Sequence, residues 1–276
     1  MEFCFSQVAL ASRFSFVNRY VFFTAVILAV ACTHCARLFG PSRVWETAGL
    51  TEPTSLDWVA ASDKPSELVL RQTQRSLADL SEGFSLDVSG RRFTYVLSKD
   101  RWSDGVDVSA QDFVFAWKRH LQPGVQTPWT AILLEIEGAK DYHSGKSKDF
   151  AKVGVRAKDR SILEIVLAKA NPKFPEAVAH PALGPQREDI YMLHPKDFAS
   201  PLHLRCIGPY QVLDWKKGES LLLVENSYAS VRPGVAKVRL RFAPTSTQAE
   251  HDKGLVSATP LDAQGFPIFS QVSWRN

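Results

Sequence analysis

Hydrophobic and polar positions are most regular between Phe93 and Pro123, and their period changes partway along the stretch. Phe93, Tyr95 and Leu97 alternate with Thr94, Val96 and Ser98, which predicts a half-buried strand. Asp104-Gly105 predicts a turn, because glycine accepts a positive φ and aspartate can bond its own backbone. Ser109 then predicts a helix N-cap, with Asp112 at the acid position of a capping box. Phe113, Val114, Trp117 and Leu121 fall on one helical face, and Pro123-Gly124 stops the helix. Trp102 and Trp117 sit on the apolar side of this pattern and read as core aromatics.

The same reading extends along the chain. Leu68, Val69, Gln72, Leu77 and Leu80 predict one side of a helix over Ser66–Leu80. Val153–Ala157 and Ile162–Leu167 predict a hairpin around Lys158–Ser161. Tyr210, Val212 and Trp215 predict a strand that turns at Lys216–Glu219 and returns through Leu221–Val224. In Lys237–Phe242, Val238, Leu240 and Phe242 face one way while Lys237, Arg239 and Arg241 face the other. That basic row is either the solvated face of a strand, the commoner case, or an anion site. Phe174–Pro185 is a proline-rich passage, and Leu255–Asn276 carries no usable period.

At 276 residues the chain suits one large domain or two modest ones. Its hydrophobic and charged fractions, 45% and 22%, are ordinary for a globular protein. A net charge of +4 without clustered Lys and Arg argues against nucleic acid as a partner.

The N-terminus departs from this globular composition. Met1–Arg19 holds Arg13 and Arg19 against Glu2, Tyr20–Ala31 is uncharged and apolar, and small residues precede Cys32. The apolar run Tyr20–Ala31 is too short for a comfortable membrane span, and a basic region, a short apolar region and a small-residue cleavage site make a secretory signal peptide over residues 1–31. A Cys at the first mature position resembles a bacterial lipoprotein signal, which makes Cys32 the lipidation site; ordinary secretion and an uncleaved anchor are the alternatives. Such signals prefer Leu three residues before the Cys, where this chain has Ala29. Removing residues 1–31 takes away Arg13, Arg19 and Glu2 and leaves a net charge of +3. Cys35 and Cys206 then remain beside Cys32, which is no disulfide framework. Cys32-Thr-His-Cys35 has redox spacing but lies beside the leader and outside any βαβ pattern.

Trp102-Ser-Asp-Gly105 and the run Val108-Ser-Ala-Gln-Asp-Phe-Val-Phe-Ala-Trp117-Lys-Arg resemble the signature of extracytoplasmic solute-binding proteins of the oligopeptide/dipeptide/nickel class. Those proteins capture ligands for ABC importers. Glu52-Pro-Thr-Ser-Leu-Asp57, Leu80-Ser-Glu-Gly83, Thr127-Pro-Trp129, the Ile132–Gly145 stretch and the Val153–Leu167 hairpin are similar to further family segments in the same order. After Gly83 the family carries about one hairpin more than this chain does. The resemblance covers Glu46 to about Gly254, about half of a typical member. It implies a periplasmic-binding-protein-like α/β fold, with mixed sheets, packed helices and two lobes, and with the C-terminal third lobe missing from this sequence. Lobe one would combine residues 46–81 with 186–254, and lobe two would be residues 82–185, after a tether over 32–45 and before an irregular tail over 255–276.

What the family implies for a site is small. Solute-binding proteins close lobes over a ligand and perform no covalent chemistry. The segment after Asp57 lines the ligand cleft in relatives, which points to Ser62, Asp63 and Lys64; the aromatic after Pro128 reaches the ligand there, which points to Trp129. An ordinary solvated loop and interlobe packing are the competing readings of these two places. The implied function is an oligopeptide-binding protein of an ABC importer in the bacterial envelope. Its partners would be peptides, the importer's membrane subunits and the membrane through the lipid anchor, with no cofactor. The alternative is a non-transport remnant or structural envelope lipoprotein that keeps part of the fold without a working cleft.

Enzyme readings find little support. Gly138–Ser147 ends in Gly-Lys-Ser, but six residues separate Gly138 from Gly145, where a phosphate loop has four. There is no G-x-S-x-G, so no nucleophile elbow. His120, His143, His180, His194, His203 and His251 show no H-E-x-x-H and no paired Cys/His metal spacing.

Overall fold

The computed structural model describes residues 44–242. Within these residues eight strands form two four-stranded sheets. The first sheet takes β1 (Val44–Leu50), β6 (Tyr210–Lys216), β7 (Ser220–Glu225) and β8 (Lys237–Phe242) in the order β1-β8-β7-β6. β1 runs parallel to β8, with Trp45 opposite Val238, while β6, β7 and β8 are antiparallel neighbours. A parallel pair needs a long crossover, and here nearly the whole chain lies between its two strands. The second sheet takes β2 (Ser81–Leu86), β3 (Arg92–Leu97), β4 (Val155–Ala157) and β5 (Ile162–Val166) in the antiparallel order β2-β3-β5-β4.

Among the described residues six α-helices join them: α1 (Lys64–Thr73), α2 (Ala110–His120), α3 (Thr130–Leu133), α4 (Ala139–His143), α5 (Phe174–Ala177) and α6 (Glu188–Leu193). Each sheet builds its own apolar core. Phe93, Trp102, Phe113, Trp117, Ile165 and Phe174 belong to the core of the second sheet. Trp45, Leu56, Tyr210, Leu223, Val238 and Leu240 belong to that of the first.

The stretch from Phe93 to Leu121 forms as its pattern predicts. Phe93, Tyr95 and Leu97 point into the core, Gly105 takes φ 84°, and the turn closes with Gly105 N–H donating to the Trp102 carbonyl at 2.8 Å. Asp112 accepts the Ser109 N–H at 2.9 Å, the acid half of a capping box at the start of α2. The same carboxylate receives Trp102 Nε1–H at 3.3 Å, so the turn tryptophan is tied to the helix cap. Burial pushes the Asp112 pKa up, against the pull of these donors and of Arg187. Trp117 is fully buried and donates its Nε1–H to the Leu183 carbonyl at 2.8 Å. His120, fully buried at the end of α2, has its pKa lowered to about 4 by desolvation and is therefore neutral at neutral pH.

One helix is shorter than its sequence pattern. The helix predicted over Ser66–Leu80 spans only Lys64–Thr73, although Leu77 and Leu80 are buried as expected. Its last turn is capped from far along the chain. Ile207 and Gly208 both donate backbone N–H groups to the Thr73 carbonyl at 2.9 Å, and Gln74 Nε2 donates to the Arg205 carbonyl at 3.1 Å. A Cβ on Gly208 would stand 2.5 Å from the Gln72 carbonyl oxygen, so only glycine allows this approach.

Two of the three cations in the basic row on β8 are paired. Arg239 and Arg241 place Nε at 3.4 and 2.8 Å from the two carboxylate oxygens of Glu46 on neighbouring β1. This agrees with a solvated strand face rather than an anion site. The expected signal peptide, Cys32, Cys35, the tether up to residue 43 and everything after Phe242 lie outside the described residues, while Val44 and Trp45, the last two tether positions, belong to β1.

Candidate functional site

The segment that follows β1 positions the first group of predicted residues. Asp63 is the N-cap of α1: its carboxylate accepts the Ser66 N–H at 2.8 Å and the Ser66 hydroxyl at 2.7 Å, and it also receives the Thr54 hydroxyl. Burial tends to raise its pKa, but the bonds from Thr54 and Ser66 together hold it below the ordinary carboxylate value. Asp63 therefore fixes the loop and the helix start, while Ser62 and Lys64 on either side are exposed.

Trp129 lies elsewhere in the chain yet returns to the same helix. It is half-buried and packs against both cores, at the place where the two meet. Its ring stacks on His180 with centroids 3.8 Å apart and planes 20° from parallel. His180 meets Trp58 edge-on at 5.8 Å, and its Nε2 lies 2.8 Å from Arg71 Nη2 and 3.4 Å from Glu67 Oε1. Glu67 and Arg71 are one and two turns along α1 from the Asp63 cap. Desolvation, assisted by the Arg71 charge, lowers the His180 pKa to about 4, which keeps the ring neutral under Trp129. α1 thus connects the Ser62–Lys64 loop to the Trp129–His180 stack.

Beside them is a groove of about 470 Å³ that the sequence reading did not single out. Its floor is a buried ion pair. Arg119 on α2 donates Nη1–H to Asp57 Oδ1 at 3.0 Å and Nη2–H to Asp57 Oδ2 at 2.8 Å, and a second Nη1 bond reaches Gln186 Oε1 at 2.5 Å. Tyr191 and Phe198 meet edge-to-face with centroids 5.1 Å apart, and both rings lie against the guanidinium, 4.5 and 4.6 Å from its carbon. Thr54, Ser55, Trp215 and Lys217 complete the rim. Asp57 and Arg119 are 62 residues apart, and no local pattern signals such a pair. A groove with hydroxyl, aromatic and charged groups on its surface suits a flexible polar ligand.

Two sheets, each backed by helices and each with its own core, define a periplasmic-binding-protein-like fold. A family described as bacterial extracellular solute-binding proteins, family 5 Middle, matches residues 78–254. The chain belongs to the bacterial extracellular solute-binding proteins of family 5. It is 30% identical over 183 residues to the dipeptide-binding protein DppE of Bacillus subtilis, covering 62% of this chain and 34% of that protein. It is 32% identical over 134 residues to the periplasmic oligopeptide-binding protein OppA of Escherichia coli, covering 48% of this chain and 24% of the relative. The substrate-binding domain of an oligopeptide ABC transporter from Bacillus anthracis superposes with a TM-score of 0.70 at 24% identity, covering 79% of this chain and 45% of that one. The chain thus spans about a quarter to a third of the length of these curated relatives. No helix among the described residues is long and apolar enough to cross a membrane.

Proposed function

We propose that this chain is a peptide-binding component of an ABC-type importer, and that it contributes one wall of the peptide cleft. The observation that carries this reading is Trp129, which bridges two cores while leaving part of its ring open. An aromatic held rigid by a neutral His180 offers a flat apolar face at little entropic cost. Ser62 and Lys64, presented by the Asp63 cap, supply polar and charged contacts to a peptide's main chain and termini. The division into two lobes, residues 46–81 with 186–254 and residues 82–185, is part of the same proposal, and the separation of the strands into two sheets supports it. Peptide-binding relatives and membership of the family support the ligand class.

Well-binding pockets bury most of their ligand's surface, whereas Ser62, Lys64 and Trp129 are open to solvent on one side. Binding to this chain is therefore expected to be weak, with Kd near 1 mM, about −4 kcal/mol. Calorimetry against tri- to pentapeptides is expected to show this, and Trp129→Ala to weaken it severalfold further. A micromolar complex indifferent to Trp129→Ala would place the peptide elsewhere.

The location follows the same reading. The chain acts on the outer side of a bacterial membrane, tethered through an acylated Cys32, as the apolar run ending at that cysteine suggests. Metabolic labelling with a fatty acid is expected to mark the wild type and leave Cys32→Ala unlabelled. Equal labelling of both would remove the lipid anchor from the account.

A further inference from the structure

The segment after α6 folds as consecutive tight turns. Asp197 N–H bonds to the His194 carbonyl at 3.2 Å, Ser200 N–H to the Asp197 carbonyl at 2.8 Å, and His203 N–H to the Ser200 carbonyl at 3.0 Å. Turns that close every three residues place side chains i, i+3, i+6 and i+9 in one row. That row is His194, Asp197, Ser200 and His203. The two imidazoles stack with centroids 3.5 Å apart and planes 12° from parallel. Asp197 Oδ2 lies 3.1 Å from His203 Nδ1, and the Ser200 hydroxyl lies 3.5 Å from the same nitrogen. Each of His194, Asp197 and His203 offers one ligand atom within 4.8 Å of the others.

We propose that His194, Asp197 and His203 form a binding site for a divalent transition ion of the zinc class. Imidazole and carboxylate are the ligand types such ions accept, and two His with one carboxylate leave a fourth position for water. Zn–N and Zn–O bonds of about 2.0–2.1 Å in a tetrahedron separate ligand atoms by roughly 3.4 Å. The trio therefore contracts by little more than about 1 Å, and Asp197, with its side chain 58% exposed, is free to move. One imidazole must also swing out of the stack so that both lone pairs converge. His194 is the C-cap of α6 and the His203 side chain is only 15% exposed, so both come from positions already set by the backbone.

The ion would have a consequence for the groove. Asp197, Phe198 and Ser200 form part of its wall, and Phe198 covers the Arg119 guanidinium. Coordination cross-links both ends of this ten-residue segment and pins that wall.

The test is a titration of the untagged full chain with Zn²⁺ in competition with a chromophoric chelator, repeated with Co²⁺ for its visible spectrum. One equivalent of Zn²⁺ is expected to bind with Kd on the order of 1 μM. His194→Ala and His203→Gln are each expected to weaken binding at least tenfold, Asp197→Asn several-fold, and His143→Ala to leave it unchanged. Far-ultraviolet circular dichroism confirms that each variant is folded; His203→Gln keeps side-chain bulk so that a packing defect does not decide the result. Co²⁺ is expected to give ligand-field bands without a thiolate charge-transfer band. Wild-type binding weaker than about 100 μM would overturn the proposal. So would binding that falls less than tenfold in the His194→Ala, His203→Gln double variant, or a thiolate band.

Discussion

Trp117→Ala is expected to lower the free energy of unfolding by about 3–5 kcal/mol, the cost of large-to-small changes at a well-packed site. Trp117 is fully buried in the middle of α2, with Phe113 and Leu121 on either side of it along the same face. Truncation removes the ring from the core of the second sheet and also leaves the Leu183 carbonyl without the indole N–H that now reaches it at 2.8 Å. An unmet buried acceptor adds its own desolvation cost. Total stabilities of single domains are about 5–15 kcal/mol, so this variant approaches the threshold of folding. Chemical denaturation monitored by circular dichroism measures it, with Val88→Ala, a fully exposed position, as the neutral control. A midpoint and slope equal to wild type would mean that this face of α2 does not face the core.

The second large effect is expected at the groove floor. Asp57→Ala should cost about 3–5 kcal/mol, because it leaves the Arg119 guanidinium buried with its charge uncompensated. The side chains of Arg119 and Asp57 are 7% and 13% exposed, which removes most of the solvent screening that makes surface pairs weak. Gln186 and the two aromatic rings cannot neutralise the charge that remains. Replacing both partners, Asp57→Leu with Arg119→Met, removes the orphaned charge and is expected to cost much less than the two single changes together. A double-mutant cycle in denaturant measures the coupling. Additive single effects, or a loss below about 1 kcal/mol for Asp57→Ala, would show that the pair is solvated and that the groove floor is not closed as described.

The α2 face could be read from sequence because its information is local. Turn chemistry at Asp104-Gly105, a cap at Ser109 and Asp112, and apolar residues at helical spacing act within about a dozen residues, and each agrees with the final fold. The β6–β7 hairpin is legible for the same reason, since two apolar arms flank a turn at Gly218, although the register shift between Val212 and Asp214 leaves no mark in the pattern. The end of α1 is different. Residues 74–80 keep an apolar pattern that would continue a helix, but the Thr73 carbonyl is claimed by Ile207 and Gly208, more than 130 positions later. Propensity gave way there to backbone hydrogen bonds that exist only once the chain has closed on itself.

The candidate site divides along the same line. Sequence alone placed this chain among solute-binding proteins, and Ser62, Asp63, Lys64 and Trp129 are the positions that the resemblance proposes for a ligand. Only the tertiary structure set Trp129 on His180 at the meeting of two cores, paired Asp57 with Arg119 beneath a groove, and lined up His194, Asp197 and His203. The first two depend on partners about 50 and 62 residues apart, and a pair interaction at that separation leaves no period in the chain. The third is local, but its three-residue spacing belongs to consecutive turns rather than to a helix or strand, so neither the 3.6 nor the 2.0 period reveals it.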